Sequence, residues 1–200
     1  TLFLYKTTRD LRNQQSSVSG DTGADARTTL KALTKCGVPD AKYWAYERDR
    51  FDEEPPALTY RIAKPMSGLR YFRIDRDPNA TTQRDQWQTI ASFLAAGFPI
   101  LFGFSVPASL DQEATVHYRP GLDSIRGGQM ALAFGYRLNH FGKNQHALRF
   151  RSSWGTQWGD EGNGLISAGV FFRLARDFWT LIDPEWTRCD DLRTPLCVGS

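Results

Sequence analysis

Two short stretches of the sequence combine glycines, an amide and hydroxyls in a pattern that is typical of a binding or catalytic surface. One is RGGQM at residues 126–130, where two glycines introduce Gln129; the other is RSSWG at residues 151–155. A carboxamide and a hydroxyl donate and accept hydrogen bonds, but neither exchanges a proton near neutral pH. These stretches therefore have the frame of a reactive site without its acid–base side chains.

The three cysteines do not supply an obvious nucleophile for such a site. Cys36 comes at the end of a predicted helix, where a buried structural thiol is the expected role. Cys189 and Cys197 flank a polar, proline-containing segment near the C-terminus. A disulfide between these two would indicate secretion or another oxidising compartment, and two ordinary thiols are the alternative.

Metal and cofactor binding are not predicted. Zinc sites need Cys, His or carboxylate ligands at short recurrent spacings. The sequence contains no CxxC pair, and its histidines, at positions 117, 140 and 146, show no such spacing with Cys, Asp or Glu. We therefore expect these histidines to lie on the surface or to pack in the core, and we expect no cofactor.

The composition is that of a folded domain rather than a disordered chain. The 200 residues are 40% hydrophobic and 13% aromatic, which is sufficient for a packed core. The net charge is +3, charges of both signs are mixed along the chain, and no dense Lys/Arg block is present. Nucleic acid is therefore not an expected partner. No apolar run approaches the ~20 residues of a membrane-spanning helix.

The chain divides into two lobes of different character. Residues 1–75 are predicted to be mainly helical, with a helix that Asp25 caps and Gly37 ends, followed by proline-rich loops with short extended pieces. Residues 76–200 are predicted to hold a helix capped by Asp85 and several strands. The sequence therefore predicts an α+β fold with a helical first lobe and a mostly antiparallel second lobe.

The strongest strand signals form a hairpin. Residues 130–137 and 146–153 are apolar runs separated by a turn-rich segment. If they pair around that turn, Gln129 lies opposite the neighbourhood of Ser152 to Trp154, and Gln129 and Ser152 become neighbours a few ångströms apart. Further strands are predicted at RYFRI, FPILFGFSV, GLIS and GVFF.

Several of these segments resemble the papain-like cysteine peptidases, in the order in which that family carries them. GGQMALAFGYR resembles the family's GGHAVLAVGYD strand, and FRSSWGTQWGDEGNG resembles its K/R-N-SWGTGWGDNGYG stretch. GADARTTLKALTKCGVPDAKYWAY resembles its left-lobe helix and the segment after it, LAAGFPILFGFSV its GxPVxxGFxV strand, and DFWTL a closing segment of bacterial members. The resemblance runs from residue 2 to residue 182 and implies a two-lobed papain-like fold.

The resemblance also implies that the catalytic groups are degenerate. The family's cysteine attacks as a thiolate, a histidine forms an ion pair with it, and an asparagine orients the imidazole. Gln129 stands at the histidine position and Ser152 at the asparagine position. The family's cysteine-bearing segment lies upstream of the part that matches Leu2 onward. We therefore expect no peptidase activity.

The same resemblance implies that backbone surfaces for an extended peptide persist. Gly127 and Gly128 precede Gln129, and the family's carbonyl at the position of Gly128 accepts a hydrogen bond from substrate. The family's left-lobe glycine pair matches Gly23 and Ala24. Because turns alone also favour glycine, a purely structural role is the alternative for these glycines. The tryptophan that shields the family's His–Asn pair matches Trp154.

Three functions follow from this pattern. The first is a pseudopeptidase, a scaffolding module that binds a protein or peptide without cutting it. The second is a structural subunit of a larger assembly whose cleft is occluded. The third, which Gln129 argues against, is the downstream portion of a processed cysteine peptidase.

The helical lobe is also expected to be incomplete, because the family's central helix begins at the missing cysteine. We expect the apolar faces of TLFLY and LKAL to lack a partner within this chain. An upstream segment, a second chain or an oligomer is expected to cover them.

Overall fold

The computed structural model describes residues 1–12, 20–75, 82–108, 110 and 114–183. These residues form two compact units, one with Thr1–Arg70 and Asp183 and the other with Tyr71–Ile182. The first unit is helical and the second is built on one sheet, so the predicted α+β fold is confirmed. The predicted disulfide between Cys189 and Cys197 lies outside the described residues.

The first unit is built on helices and loops. Helix α2 begins after Asp25, whose side chain accepts a hydrogen bond from the Thr28 amide, and ends at Gly37 with a φ of 68°. Both signals were predicted from the sequence, because a carboxylate N-cap and a left-handed C-terminal glycine satisfy the end groups of a helix. The unit's helices are α1 (Leu2–Arg12), α2 (Ala26–Cys36) and α3 (Ala57–Ile62).

Gly37 also permits a close approach inside this unit. A Cβ at this position would clash with the backbone of Lys64. The segment between α2 and the second unit was predicted to hold long loops with short extended pieces; loops are present, but the regular elements among them are helical. It contains two 3-10 turns, Ala41–Tyr43 and Arg48–Arg50, and helix α3, which begins after Pro56. Pro56 is the N-cap of this helix, and its carbonyl accepts a hydrogen bond from the Thr59 amide at 2.8 Å.

The expectation that the apolar faces of the first helices lack a partner is also wrong. Leu2 and Phe3 are only 4% and 2% exposed, and they pack in a small cluster with Trp44 and Ala63. Leu30 of α2 is likewise buried. These side chains are therefore buried within this chain. Cys36 packs at the edge of the same cluster and is half-buried rather than buried.

The second unit is a seven-stranded sheet with the order β1-β7-β2-β4-β5-β6-β3. Its central strands β2, β4, β5 and β6 pair antiparallel, and the short β3 pairs parallel with β6. The strands are β1 (Arg70–Arg73), β2 (Ile100–Pro107), β3 (Thr115–Val116), β4 (Ile125–Arg137), β5 (Ala147–Arg151), β6 (Asn163–Ser167) and β7 (Ala175–Ile182).

The predicted hairpin is formed by β4 and β5. Leu132 pairs with Arg151 and Ala133 with Phe150, which is the predicted register, and a bulge after Ala133 shifts the remaining pairs by one residue. The core of the unit lies on the face that carries Ala133 and Phe150. Residues at alternate positions of a strand share one face, so the side chain of Arg151 belongs to the opposite face.

Two helices pack in the second unit, α4 (Gln83–Ala95) and α5 (Ala168–Leu174). The sequence placed the cap of α4 at Asp85, which is wrong. Thr82 is the N-cap, and Asp85 is the third helical residue of a capping box in which each side chain bonds the other's backbone. GVFF was predicted as a strand but lies in α5, because the Ser167 hydroxyl accepts from the Val170 amide and starts a helix there.

Strand β7 was not predicted. Its sequence ARDFWTLI carries Asp177 with a φ of 63°, and the pairing with β2 is irregular at this point. In the part of the chain that the structure describes, no helix has the length and apolar character needed to cross a bilayer.

Candidate functional site

The candidate site of the second unit lies in the first half of β4. This half pairs with β2, where Gln129 is opposite Phe104, Gly128 opposite Ser105 and Gly127 opposite Val106. Pairing with β5 begins only at Leu132, so among the described residues the other edge of residues 125–131 has no strand beside it. Alternate residues of this segment direct their backbone N–H and C=O groups toward that free edge.

The two glycines leave this segment open. Neither Gly127 nor Gly128 has a positive φ, so the backbone conformation does not require glycine. A Cβ added at either position would meet nothing within 4 Å among the described residues. The absence of side chains therefore serves neither a turn nor close packing, which argues against the purely structural role. We call residues 127–129 the strand ledge.

Gln129 lies at the border of the core. It shares a face with the buried Ala131 and Ala133, and its own side chain is half-buried beside Phe104. Its Nε2 donates a hydrogen bond to the Oγ of Ser153 at 2.9 Å. Both groups are neutral and neither titrates near neutral pH, so the pair can hold a geometry but cannot shuttle a proton.

Ser153, rather than the expected Ser152, is therefore the hydrogen-bond partner of Gln129. Ser152 is 8% exposed, and its backbone amide bonds the carbonyl of Gly162. Its Oγ has no hydrogen-bond partner among the described residues. Strand β5 ends at Arg151, so the strand alternation that predicted Gln129 and Ser152 as neighbours does not extend to these two serines.

A row of packed aromatic rings lies beside Gln129 and Ser153. We call these rings, of Phe104, Phe150, Trp154 and Trp158, the aromatic wall. Trp154 is 38% exposed and contacts Phe104 and Trp158, with ring centroids 6.4 Å and 4.9 Å away. Trp158 in turn packs on Phe150 at 5.8 Å. A Cβ at Gly164 would lie 2.7 Å from Trp158, so this glycine is required for the close packing of the wall. Trp154 thus presents a supported, half-exposed indole next to Ser153.

The first unit holds a second candidate surface, residues 20–24, which includes Gly23 and Ala24. Here φ is +69° at Gly23, a conformation that favours glycine. The Gly23 amide donates to the hydroxyl of Tyr5 at 3.1 Å and to Asp21 Oδ1 at 3.2 Å. The Tyr5 hydroxyl itself donates to Asp21. We call residues 20–24 the loop ledge.

Arg9 fixes the start of the loop ledge. It is 3% exposed, and its guanidinium donates to the carbonyls of Gly20 at 2.6 Å and Phe51 at 3.1 Å. The same group forms an ion pair with Asp52 at 2.7 Å, and the other Asp52 oxygen accepts from the Gly20 amide at 2.9 Å. One buried cation thereby ties helix α1 to two loops.

These contacts favour the charged form of both carboxylates. The Tyr5 hydroxyl and the Gly23 amide lower the pKa of Asp21, and the Gly20 amide and Arg9 lower the pKa of Asp52. Burial, followed by the bond to Asp21, raises the pKa of Tyr5. The loop ledge is therefore held by ionised carboxylates, whereas the strand ledge contains no ionisable side chain.

The other candidate groups have different surroundings. His146 stacks on Trp87 at 5.0 Å and accepts a hydrogen bond from the Asn139 amide, and His140 contacts Phe141. Among the described residues no cluster of His, Cys, Asp and Glu could hold a metal ion. Arg9 and Tyr5 were not found from the sequence, because their roles depend on contacts between distant segments. Ser153 lies within the predicted neighbourhood of Gln129, although the sequence singled out Ser152.

No protein-family profile matches the chain. It is similar to an uncharacterized peptidase C1-like protein, L477, of Acanthamoeba polyphaga mimivirus, with 34% identity over 189 residues. The match covers 90% of this chain and 57% of that protein, so the chain spans little more than half the length of this relative.

The fold is similar to those of solved cysteine proteases. Xylellain from Xylella fastidiosa is 25% identical with a TM-score of 0.69, and the match covers 90% of this chain and 68% of xylellain. Bromelain from Ananas comosus is 15% identical with a TM-score of 0.56, covering 87% and 74% of the two chains. The collinear motifs, the helical and sheet units and these similarities agree: the chain has the papain-like fold and is similar in sequence to a peptidase C1-like protein.

Proposed function

We propose that this chain is a non-catalytic papain-like module that binds an extended peptide or protein segment. The observation that carries the proposal is the hydrogen bond from Gln129 to Ser153. By its resemblance to the family, Gln129 stands where a histidine would accept and return the proton. A carboxamide bonded to a neutral hydroxyl does neither.

The surroundings of Gln129 support the same proposal. Ser152, which matches the family's orienting asparagine, is buried and does not bond Gln129. An asparagine at that position would hold an imidazole in place, and here there is no imidazole to hold. Gln129 replaces the base and Ser152 replaces the group that orients it. With both groups lost, we expect no peptide hydrolysis at this centre.

Binding is supported by the strand ledge. Among the described residues no strand pairs with its outer edge and nothing lies within 4 Å of a Cβ added at either glycine, and Trp154 offers a half-exposed aromatic surface nearby. An extended peptide can add to such an edge through main-chain hydrogen bonds, while an aromatic side chain supplies apolar contact. These are binding features that do not depend on an acid–base pair.

The proposal is tested by a binding assay with a capped hexapeptide library. We expect saturable binding of part of the library to the unaltered protein, and we expect Gly128→Val to weaken it about tenfold or more because a branched side chain fills the ledge. Gly169→Val is the matched control, since Gly169 also has nothing within 4 Å among the described residues but lies in α5.

Two results would contradict the proposal. If Gly128→Val and Gly169→Val reduced peptide binding equally, the strand ledge would not be part of the binding site. A complete lack of peptide binding, with both variants folded, would favour a structural subunit whose cleft is occluded. Circular dichroism of each variant establishes that the comparison is made on folded protein.

A further inference from the structure

Basic and acidic residues are unevenly distributed along the second unit, which the net charge of the whole chain does not show. Residues 124–159 contain no aspartate or glutamate, although the chain contains 22. The net charge of the whole chain is only +3, so the rest of the chain is net negative. The five basic residues of this stretch are Arg126, Arg137, Lys143, Arg149 and Arg151.

Two of these arginines stand side by side on the outer face of the hairpin. Arg149 and Arg151 alternate with the buried Phe150 along β5, so both lie on the face opposite the core. The guanidinium of Arg149 lies 5.1 Å from the ring centre of Phe134 on β4, which is itself 39% exposed. We call Phe134, Arg149 and Arg151 the arginine face.

Neither arginine is neutralised by the described chain. Arg151 donates from Nε to Asn163 Oδ1 at 3.0 Å, and Arg149 contacts Phe134 through its π face. In residues 1–12, 20–75, 82–108, 110 and 114–183, neither forms an ion pair with a carboxylate. Asn163 and Phe134 restrict the guanidinium orientations but leave hydrogen-bond donors of both groups unused.

We propose that the arginine face binds an extended acidic segment of a partner protein, with carboxylates at alternate residues. Residues two apart on a strand are separated by about 6.6 Å, so two carboxylates at alternate positions of an extended segment match Arg149 and Arg151. Each guanidinium can form paired bonds with one carboxylate, and the exposed Phe134 ring adds apolar contact. The net charge of the whole chain is only +3, so the charge complementarity to carboxylates belongs to this face and not to the whole chain.

This surface is distinct from the strand ledge. Gln129 lies on the core-facing side of β4 with Ala131 and Ala133, whereas Phe134 and Arg149 project from the other side of the sheet. The inference therefore does not depend on the proposed peptide site. Two arginines whose orientations are restricted, Arg149 by the Phe134 ring and Arg151 by Asn163, favour carboxylates on a strand over a long polyanion, which is usually met by a larger basic patch.

The test uses a fluorescent, capped peptide of four Glu-Thr repeats and its isomer with four consecutive glutamates followed by four threonines. We expect the alternating peptide to bind more tightly, and Arg149→Gln/Arg151→Gln to weaken its binding about tenfold because two charge-assisted contacts are lost. Arg149→Lys/Arg151→Lys keeps the charge, and we expect it to weaken binding by a smaller but measurable factor.

The matched control is Arg61→Gln/Arg84→Gln, which removes the same charge from exposed positions on α3 and α4. An equal loss of binding in this control, or no binding by the unaltered protein, would overturn the proposal. Tighter binding of heparin or a single-stranded oligonucleotide than of the alternating peptide would assign the face to a polyanion instead. A further expected result is weaker peptide binding as the ionic strength is raised to about 0.5 M.

Discussion

The loop ledge and the strand ledge are two candidate peptide-binding surfaces that are positioned by different physical means. The loop ledge, residues 20–24, is held by a buried arginine and two ionised carboxylates. The strand ledge, residues 127–129, is held by pairing with β2, and nothing in it titrates. A loop lacks the regular backbone hydrogen bonds of a sheet, so side-chain contacts must fix its conformation. A strand is fixed by the backbone hydrogen bonds to the strand beside it.

This difference predicts where the molecule is sensitive to substitution. The loop ledge should be disrupted by substitution of residues that lie far away in sequence, such as Arg9 and Asp52. Damage to the strand ledge should come from side chains added to the ledge itself, since its backbone is already fixed. Substitutions made in parallel on the two ledges therefore test whether the difference is real.

The largest effect is expected from Arg9→Ala. It removes a buried cation and leaves the carbonyls of Gly20 and Phe51 without their donor, so we expect a loss of about 3 kcal/mol in the free energy of unfolding. Arg12→Ala is the control, because the exposed Arg12 bonds only Thr22 of the same loop among the described residues. Urea unfolding of both variants is the measurement, and equal losses would refute the special role of Arg9.

A glycine substitution on each ledge gives the next largest difference. Gly23→Ala forces a side chain into a left-handed conformation, at a cost of about 1–2 kcal/mol. Gly128→Ala adds a methyl group at an unstrained position where no described residue lies within 4 Å, so we expect a change within about 0.5 kcal/mol. Thermal unfolding of the two variants decides the matter. A larger loss for Gly128→Ala than for Gly23→Ala would show that the strand ledge is packed.

The two serines beside Gln129 should respond oppositely. Ser152→Ala removes a buried hydroxyl that has no partner among the described residues, so we expect stability to stay unchanged or to rise by up to about 1 kcal/mol. Ser153→Ala removes the acceptor of the Gln129 amide, with an expected loss of about 0.5–1 kcal/mol. Denaturant unfolding distinguishes the two. A clear loss with Ser152→Ala would mean that its hydroxyl is in fact bonded.

Acid should loosen the loop ledge before the strand ledge. The contacts of Asp21 and Asp52 lower both pKa values below 3.8, so their stabilising effect is present above that pH and is lost as pH falls through the lowered values. Because both carboxylates are solvent-exposed, we expect the effect to be small. Amide exchange measured between about pH 5 and pH 2.5, corrected for intrinsic rates, should show lost protection in residues 20–24 first. Equal loss in both ledges would contradict the distinction.

The sequence predicted those parts of the fold that local chemistry decides. Asp25 and Gly37 are sufficient to define α2, and alternating apolar residues define the β4–β5 register. The helix α5 was missed because a single serine cap overrode a β-prone run, GVFF. Strand β7 was missed because the left-handed Asp177 interrupts its regular pattern.

The candidate site was predicted less completely. The neighbourhood of Gln129 followed from register, but its partner is Ser153 because the chain leaves β5 at Arg151 and periodicity no longer sets the side-chain direction. Arg9 was not predicted, since a buried arginine gives no sequence signal until its carbonyl partners are located. The lack of acidic residues in 124–159 is visible in the sequence. It was missed because the net charge of the whole chain is only +3.

The central proposal is that a carboxamide at position 129 leaves the chain able to bind a peptide but unable to cleave it. The most direct measurement follows peptide binding and peptide hydrolysis in the same sample of the unaltered protein, with fluorogenic peptides and a thiol-reactive inhibitor. The predicted result is saturable binding with no hydrolysis above the buffer rate. Hydrolysis that the inhibitor abolishes would contradict the claim.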